Sequence, residues 1–324
     1  QEALANAEIN RYPDPSAAAL SAGLKKAMQV PDQYGVLLGN GSDEIIQLLA
    51  MALAQEGRGI LAPEPGFVMY KMIATFVGMG YTGVPLAPDF DLDLPAMLEA
   101  IKADEPALIF LAAPNNPTGN VFGIDKVRAI IEASDALVVV DEAYIAFTKA
   151  DHLHLLDEYD NVLVMRTLSK VGLAGLRLGM IFGSPLWLTE LDKLRLPYNI
   201  NVLTQISAEF ALENYSLLQE QAAELCSQRK ILKAALESIE GVFCYPSEAN
   251  FLLVRFSEGV ATAVHQSLKN QGVLVKSLHG GNPMLSDCLR LTVGSSDENQ
   301  KMLAAYGGIF HLEIVIGTQK IQNC

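Results

Sequence analysis

The chain has 324 residues, a formal net charge of -14 and a composition that is half hydrophobic. That acidity disfavours nucleic acid or an anionic membrane as a partner, and no apolar run approaches the roughly 20 residues needed to cross a bilayer. No basic-then-apolar segment marks a signal peptide at the N-terminus. Cys226, Cys244, Cys288 and Cys324 lack metal-ligand spacing and read as reduced thiols of a cytoplasmic protein, with no metal site.

Gln1 to Asn10 reads as short and helix-like, and Asn10 to Pro15, with two prolines and Tyr12 between them, as an extended turn. Ser16 to Met28 has the spacing of an amphipathic helix, and Val36 to Leu38 that of a short strand. The segment Gly39-Asn40-Gly41-Ser42-Asp43-Glu44 then opens an apolar helix from Ile45 to Ala54. Ser42 suits the N-cap, and Asp43 and Glu44 suit a first helical turn. A glycine-rich turn into a helix start also gathers free N–H groups and can hold an anion.

Gly59 to Ala62 is a strand, followed by Pro63 to Tyr70 with Phe67 in its middle. Ala107 to Ala112 is a buried strand that ends in Ala113-Pro114-Asn115-Asn116-Pro117-Thr118-Gly119, a turn composition. After the helix Ile124 to Ala133, Ala136 to Val140 is the most strand-like run of the chain, and Asp141-Glu142-Ala143-Tyr144 follows it directly. A carboxylate at the end of an apolar strand is costly unless paired, so Asp141 either has a cation close by or caps a helix.

The strand Val162 to Met165 leads into Thr167-Leu168-Ser169-Lys170-Val171-Gly172-Leu173-Ala174-Gly175-Leu176-Arg177-Leu178-Gly179. A lone lysine is ordinarily a solvated surface amine. Lys170, however, sits among apolar and small residues, where an ammonium is desolvated. Ser169 and Arg177 flank it with donors suited to a phosphate, and Gly172, Gly175 and Gly179 permit close backbone approach. A lysine made nucleophilic by desolvation forms Schiff bases with carbonyls.

Beyond Arg177 come the strand Met180 to Gly183 and a helix from Leu186 to Leu196 ended by Pro197. Amphipathic helices Val202 to Glu213 and Leu217 to Ile239 follow, the second carrying the chain between domains. Strands are read at Val242 to Cys244, Phe251 to Phe256, Val273 to Lys276 and Cys288 to Gly294, with a helix at Val260 to Asn270. From Tyr306 to Gly317, where a closing helix is expected, two glycines and β-branched residues read as strand or disorder. The whole is α/β: a mostly parallel sheet sandwiched by helices over 1–220, then a smaller α+β domain over 221–324, with 306–324 an atypical tail.

The Lys170 stretch resembles the lysine motif of fold-type I pyridoxal-phosphate-dependent aminotransferases. From about Ala7 to about Ala305 the pattern resembles the histidinol-phosphate aminotransferase family. The resemblance implies pyridoxal 5'-phosphate as cofactor, bound to Lys170, which also moves the substrate proton. It implies that Asp141 pairs with the cofactor's ring nitrogen, that Asn116 and Tyr144 bond its phenolic oxygen, and that Phe67 stacks on its ring where many relatives have tyrosine. Ser42, Asp43, Ser169 and Arg177 would cup the phosphate. Tyr12 would reach that phosphate in the other subunit of a homodimer. Arg290 would hold the substrate's carboxylate-side end and Lys276, where relatives often have arginine, its phosphate.

The implied reaction is ping-pong transamination of L-histidinol phosphate with 2-oxoglutarate to imidazole acetol phosphate and L-glutamate. An aromatic aminotransferase or a threonine-phosphate decarboxylase is the alternative of the same chemistry. Family members usually begin earlier, with an Asn-Glu-Asn-Pro-like arm, so the chain reads as N-terminally truncated, and an inactive fragment is the non-enzymatic alternative.

Overall fold

The computed structural model describes residues 2–310, 315–316 and 319–320. Gln1, Cys324 and most of the tail after Phe310 lie outside the described residues. The strands are β1 (Gly35–Asn40), β2 (Ile60–Glu64), β3 (Tyr81–Pro85), β4 (Leu108–Ala112), β5 (Leu137–Asp141), β6 (Val162–Thr167), β7 (Leu178–Gly183), β8 (Val242–Cys244), β9 (Phe251–Phe256), β10 (Lys276–Ser277), β11 (Cys288–Thr292), β12 (Val315–Ile316) and β13 (Gln319–Lys320). The helices are α1 (Glu2–Ala5), α2 (Ala18–Ala27), α3 (Ser42–Leu53), α4 (Met69–Val77), α5 (Leu94–Asp104), α6 (Ile124–Glu132), α7 (Leu155–Glu158), α8 (Pro185–Asp192), α9 (Val202–Glu213), α10 (Tyr215–Glu237), α11 (Ala261–Asn270) and α12 (Ser296–Phe310).

A seven-stranded sheet in the order β1-β7-β6-β5-β4-β2-β3 forms the larger layer. Neighbours from β6 to β3 pair in parallel, while β7 pairs antiparallel with both β6 and β1. Only β7 therefore runs against the rest, and the mostly parallel expectation holds. The central strands read as unbroken apolar runs because both faces are covered. Along β5, Val138 and Val140 enter one core, with helices α2, α5 and α6, while Leu137 and Val139 enter the other, with α3, α4 and α8. With that direction shared, the ends of β2, β4, β5 and β6 place Phe67, Asn116, Asp141 and Lys170 beyond one edge of the sheet, the usual location of ligands in open α/β sheets.

A second sheet, ordered β10-β11-β9-β8, is antiparallel throughout. Its own core includes Leu232 of α10, Leu289 of β11 and Met302 of α12. Among the described residues no helix is long and apolar enough to cross a membrane.

The structure corrects several local expectations. Tyr306 to Phe310 continue α12 as helix. Gly307 and Gly308 cost about 1 kcal/mol each in helix propensity, but Tyr306 is fully buried in the small-sheet core, and that burial outweighs the deficit. Among the described residues of the tail, Val315–Ile316 pair with Gln319–Lys320. Of the expected strand Val273 to Lys276 only Lys276 pairs, because β10 starts there and ends at Ser277. Helix α8 ends at Asp192 rather than Leu196, which is 73% exposed and has no core to hold it. Ser42 is the first helical residue, not the cap: Gly41 occupies the N-cap, and the Glu44 carboxylate reaches back to accept the Asn40 N–H at 2.6 Å. Helices α4 and α5 and edge strand β3 were not anticipated.

Candidate active site

Two glycines let the β1–α3 turn close on β7. Gly41 has φ +82°, and an added Cβ there would lie 2.3 Å from the Arg177 Nη2. A Cβ on Gly179 would lie 2.5 Å from the Ser42 backbone nitrogen. Gly179 thus admits another stretch of this chain, while Gly172 and Gly175 face open space. Arg177, itself in the left-handed region at φ 50°, donates from Nη2 to Asp43 Oδ2 at 3.1 Å. Both partners are close to half exposed, so the pair adds little stability and leaves the guanidinium accessible to an anion. Ser169 lies on the same side, its N–H donating to Thr167 Oγ1 at 3.1 Å and its Oγ 2.9 Å from that oxygen.

Lys170 leaves the end of β6 in a single 3₁₀ turn, Ser169–Val171. Its Nζ lies 5.3 Å from the centre of the Tyr144 ring, within range of a cation–π contact. Burial and then the nearby Arg290 guanidinium lower its pKa, against the opposing pull of Asp141 and Asp43. The amine is therefore easier to deprotonate than a surface lysine.

Asp141, 4% exposed at the end of β5, accepts the Tyr70 hydroxyl at 2.7 Å on Oδ2 and the Ala143 N–H at 3.0 Å on Oδ1. Burial pushes its carboxyl up to about 6; the two hydrogen bonds and the Lys170 charge resist that shift without cancelling it. No ion pair of Asp141 with a cation forms among the described residues. The positive charge that bears on Asp141 from within the chain is Lys170, without an ion pair, and the helix-cap alternative does not apply, since Asp141 is strand.

Its neighbour Glu142 is fully buried and points to the other side. There it accepts Arg166 Nε at 2.7 Å and faces His152 Nδ1 at 2.9 Å and its backbone N–H at 2.8 Å.

The two asparagines after β4 divide their work. Asn115 is 2% exposed and holds the loop, donating to the Pro65 carbonyl at 3.0 Å. Asn116 turns instead to the small sheet, where its Oδ1 accepts Arg290 Nη1. The guanidinium of Arg290 lies 5.1 Å from the Phe251 ring centre, and its Nε is buried with no partner among the described residues. An orphaned guanidinium donor near the Lys170 amine suits a ligand that brings acceptors. Phe251 also meets the Tyr144 ring edge-on at 5.2 Å. Lys276, exposed, is the cross-strand register partner of Arg290.

Lys170, Asp141, Tyr144, Asn116 and Arg290 are thus brought together, with Ser42, Asp43, Ser169 and Arg177 as a second group beside Lys170. Phe67 joins through the edge of Tyr70 at 5.5 Å. Tyr12 is not drawn in: 81% exposed, it stacks on Tyr198 at 4.5 Å. Sequence reading missed Tyr70 and Phe251. A tyrosine within an apolar segment was the available signal for the first, since a buried hydroxyl needs a partner.

The family model of aminotransferase class I and II matches residues 1–306. Histidinol-phosphate aminotransferase 2 of Nitrosococcus oceani is 52% identical over 304 residues, 94% of this chain and 84% of that one. Histidinol-phosphate aminotransferase of Chromobacterium violaceum is 52% identical over 307 residues, 95% of this chain and 86% of its own. Among solved structures, the histidinol-phosphate aminotransferase of Clostridium acetobutylicum superposes with a TM-score of 0.87 at 21% identity, covering 96% of this chain and 93% of that one. That of Sinorhizobium meliloti, in complex with pyridoxal-5'-phosphate, gives 0.85 at 24% identity, covering 94% and 84%. At those identities the structures speak for the fold.

Proposed function

The chain belongs to the class I and II aminotransferases, alongside the histidinol-phosphate aminotransferases, and from that premise we propose that it exchanges the amino group of L-histidinol phosphate with 2-oxoglutarate, using pyridoxal 5'-phosphate. The observation that carries the reading is the convergence of Lys170, Asp141, Tyr144, Asn116 and Arg290 from separate strands and strand ends of two sheets. The donor set fits the cofactor. A desolvated amine suits its aldehyde, and a buried carboxylate without a paired cation suits its ring nitrogen. The open guanidinium of Arg177 beside the α3 start suits its phosphate.

Lys170 would hold the cofactor, with Ser42, Asp43, Ser169 and Arg177 around its phosphate, Asn116 and Tyr144 at its phenolic oxygen, and Phe67 on its ring. When bound, the cofactor supplies an electron sink that stabilises charge on the substrate's α-carbon. Once the substrate's amino group has displaced it, Lys170 Nζ, with its lowered pKa, would take the proton from that carbon and return it as general acid–base. Asp141 stays anionic to compensate positive charge developed opposite it. Arg290, aimed by Phe251 and Asn116, holds the substrate's carboxylate-side end in a geometry that lysine cannot reproduce. Lys276, one strand over, would meet the phosphate.

We assign the work to a cytoplasmic homodimer with domains 1–220 and 221–324. Val68, Met72 and Phe76 support a dimer: they form an exposed apolar stripe, 65%, 45% and 67% exposed, along the helix that carries Tyr70.

The test is the visible spectrum of protein loaded with pyridoxal phosphate, before and after L-glutamate, with rates on histidinol phosphate and phenylalanine. Lys170→Ala is expected to lose the lysine-bound band and nearly all turnover; a fully active variant would end the reading. Faster turnover of phenylalanine would move the substrate class to the aromatic amino acids.

A further inference from the structure

The hydroxyl of Tyr70 has no part in the chemistry just assigned, yet it is among the most constrained groups of the site. Tyr70 is 2% exposed. Its ring lies parallel to Phe110 of β4, with centroids 4.3 Å apart and planes at 3°, and it meets Phe67 edge-on at 86°. Held on two sides, the ring can aim its hydroxyl only one way, at Asp141 Oδ2, 2.7 Å distant. A carboxylate has a broad, two-fold torsion about its last bond. The Ala143 N–H fixes one oxygen at 3.0 Å, and Tyr70 fixes the other.

We propose that Tyr70 is a positioning residue for Asp141: its hydroxyl locks the carboxylate plane and favours the anion, and its ring joins that carboxylate to Phe67 as one rigid unit. The proposal rests on the cofactor reading above, in which Asp141 and Phe67 approach the same ring from its edge and its face. The physical need is plain. Asp141 is buried without a paired cation, so it depends on neutral donors to remain charged. The groups that bear on its charge are Tyr70, Ala143, Lys170 and Glu142; Lys170 favours the anion and Glu142 opposes it. Tyr81 and Tyr144 bear on Tyr70 itself, whose own proton is held tightly by burial and by the Asp141 charge. The hydroxyl therefore stays a donor throughout the working pH range.

Tyr70→Phe keeps the ring and removes the donor. In cofactor-free protein, the Asp141 carboxyl can be titrated by infrared difference spectroscopy, with Asp141→Asn as the blank. Tyr70→Phe is expected to move that titration upward by about one pH unit or more, because a hydrogen bond to a charged group is being lost. The pH below which pyridoxal phosphate affinity falls should move by the same amount, with affinities converging at high pH. An unmoved titration in a folded Tyr70→Phe protein shows that Tyr70 is only packing, and the proposal fails. If Tyr70→Phe does not fold, 3-fluorotyrosine at position 70 retains the shape and donates more strongly. The titration should then move downward, and one that stays put overturns the proposal equally. Parent protein that binds no pyridoxal phosphate at any pH sinks the functional reading separately, while the cofactor-free titration still decides whether Tyr70 governs Asp141.

Discussion

Asp141 and Glu142 are consecutive and buried, at the end of one strand, yet they have opposite surroundings. Glu142 faces the side of α2 and finds Arg166, His152 and a backbone N–H within 3 Å. Arg166 in turn reaches Asp151 at 3.1 Å, so the charges on that side are paired within the chain. Asp141 faces α4 and finds one phenol and one amide, with its nearest cation held off. Burial is alike at 4% and 0%, so burial alone does not separate structure from function. What separates them is whether the chain itself completes the charge. A carboxylate satisfied from within holds the fold together, and one left short awaits something brought from outside.

Removing each carboxylate should break different things. Glu142→Ala leaves Arg166 and His152 buried around a void, and stripping one partner from a buried ionic cluster costs about 3–5 kcal/mol. Urea unfolding of cofactor-free protein should show that loss; a loss under about 1 kcal/mol would mean the cluster is no keystone and the contrast is false. Asp141→Ala should cost no comparable stability, because it also removes a buried charge, but should slow proton abstraction by about 100-fold or more, since losing preorganised compensation at a reacting group costs about 3 kcal/mol. Turnover within about threefold of the parent would make Asp141 a structural residue after all.

The pH dependence of stability sharpens the same contrast. The Asp141 carboxyl sits at about 6 in the folded protein against 3.8 ordinarily. As pH rises, the unfolded chain gives up this proton first, so the folded state holds more protons between about 4 and 6. Stability then falls with rising pH across that window and is fully present below it, by up to roughly 3 kcal/mol for this one group. Asp141→Asn cannot titrate there. Relative to the parent, the cofactor-free variant should therefore gain stability as pH goes from about 4 to 7. A difference that stays flat would show that the charge is already compensated within the chain.

Legibility in the sequence followed the same division. Strand ends were readable because unbroken apolar runs such as Leu108 to Ala112 and Leu137 to Val140 stop abruptly at Asn115 and Asp141. The polar residue at the stop marks the edge where sites form. Helix α4 was not, because Met69 to Val77 offers few polar residues to set a period. With α4 went Tyr70, and with it the partner of Asp141. Strand β3, Tyr81–Pro85, carries a glycine and a proline and survives only as an edge pairing with β2. The Tyr306 helix was missed for the reverse reason, since its glycines speak locally for a break while residues distant in sequence, Phe256 stacked on Tyr306 among them, form the core that buries it. Asn116 and Arg290 were each visible, but not that they would meet, because the loop of one and the strand of the other are joined only by tertiary packing.

The smallest effect belongs to Tyr12, which extends the comparison to the surface. Its ring stacks on Tyr198, and the segment is anchored by the Asp14 carbonyl, which accepts Gln205 Nε2 at 3.0 Å. The hydroxyl, on a side chain 81% exposed, is free to bond water, so it adds nothing to the stability of the chain by itself. If each site borrows that hydroxyl from a second copy, the bond forms only in the dimer. Tyr12→Phe should then weaken pyridoxal phosphate binding by about 1 kcal/mol, one ordinary hydrogen bond, with unfolding of the monomer unaffected. Dilution below the dimer dissociation constant should weaken binding for the parent as well, and by more, since every contribution from the partner is lost together. Cofactor titration across a dilution series, with mass followed by light scattering, measures both. An affinity that does not change in a demonstrated monomer would place the whole site within one chain and leave Tyr12 as ordinary packing against Tyr198.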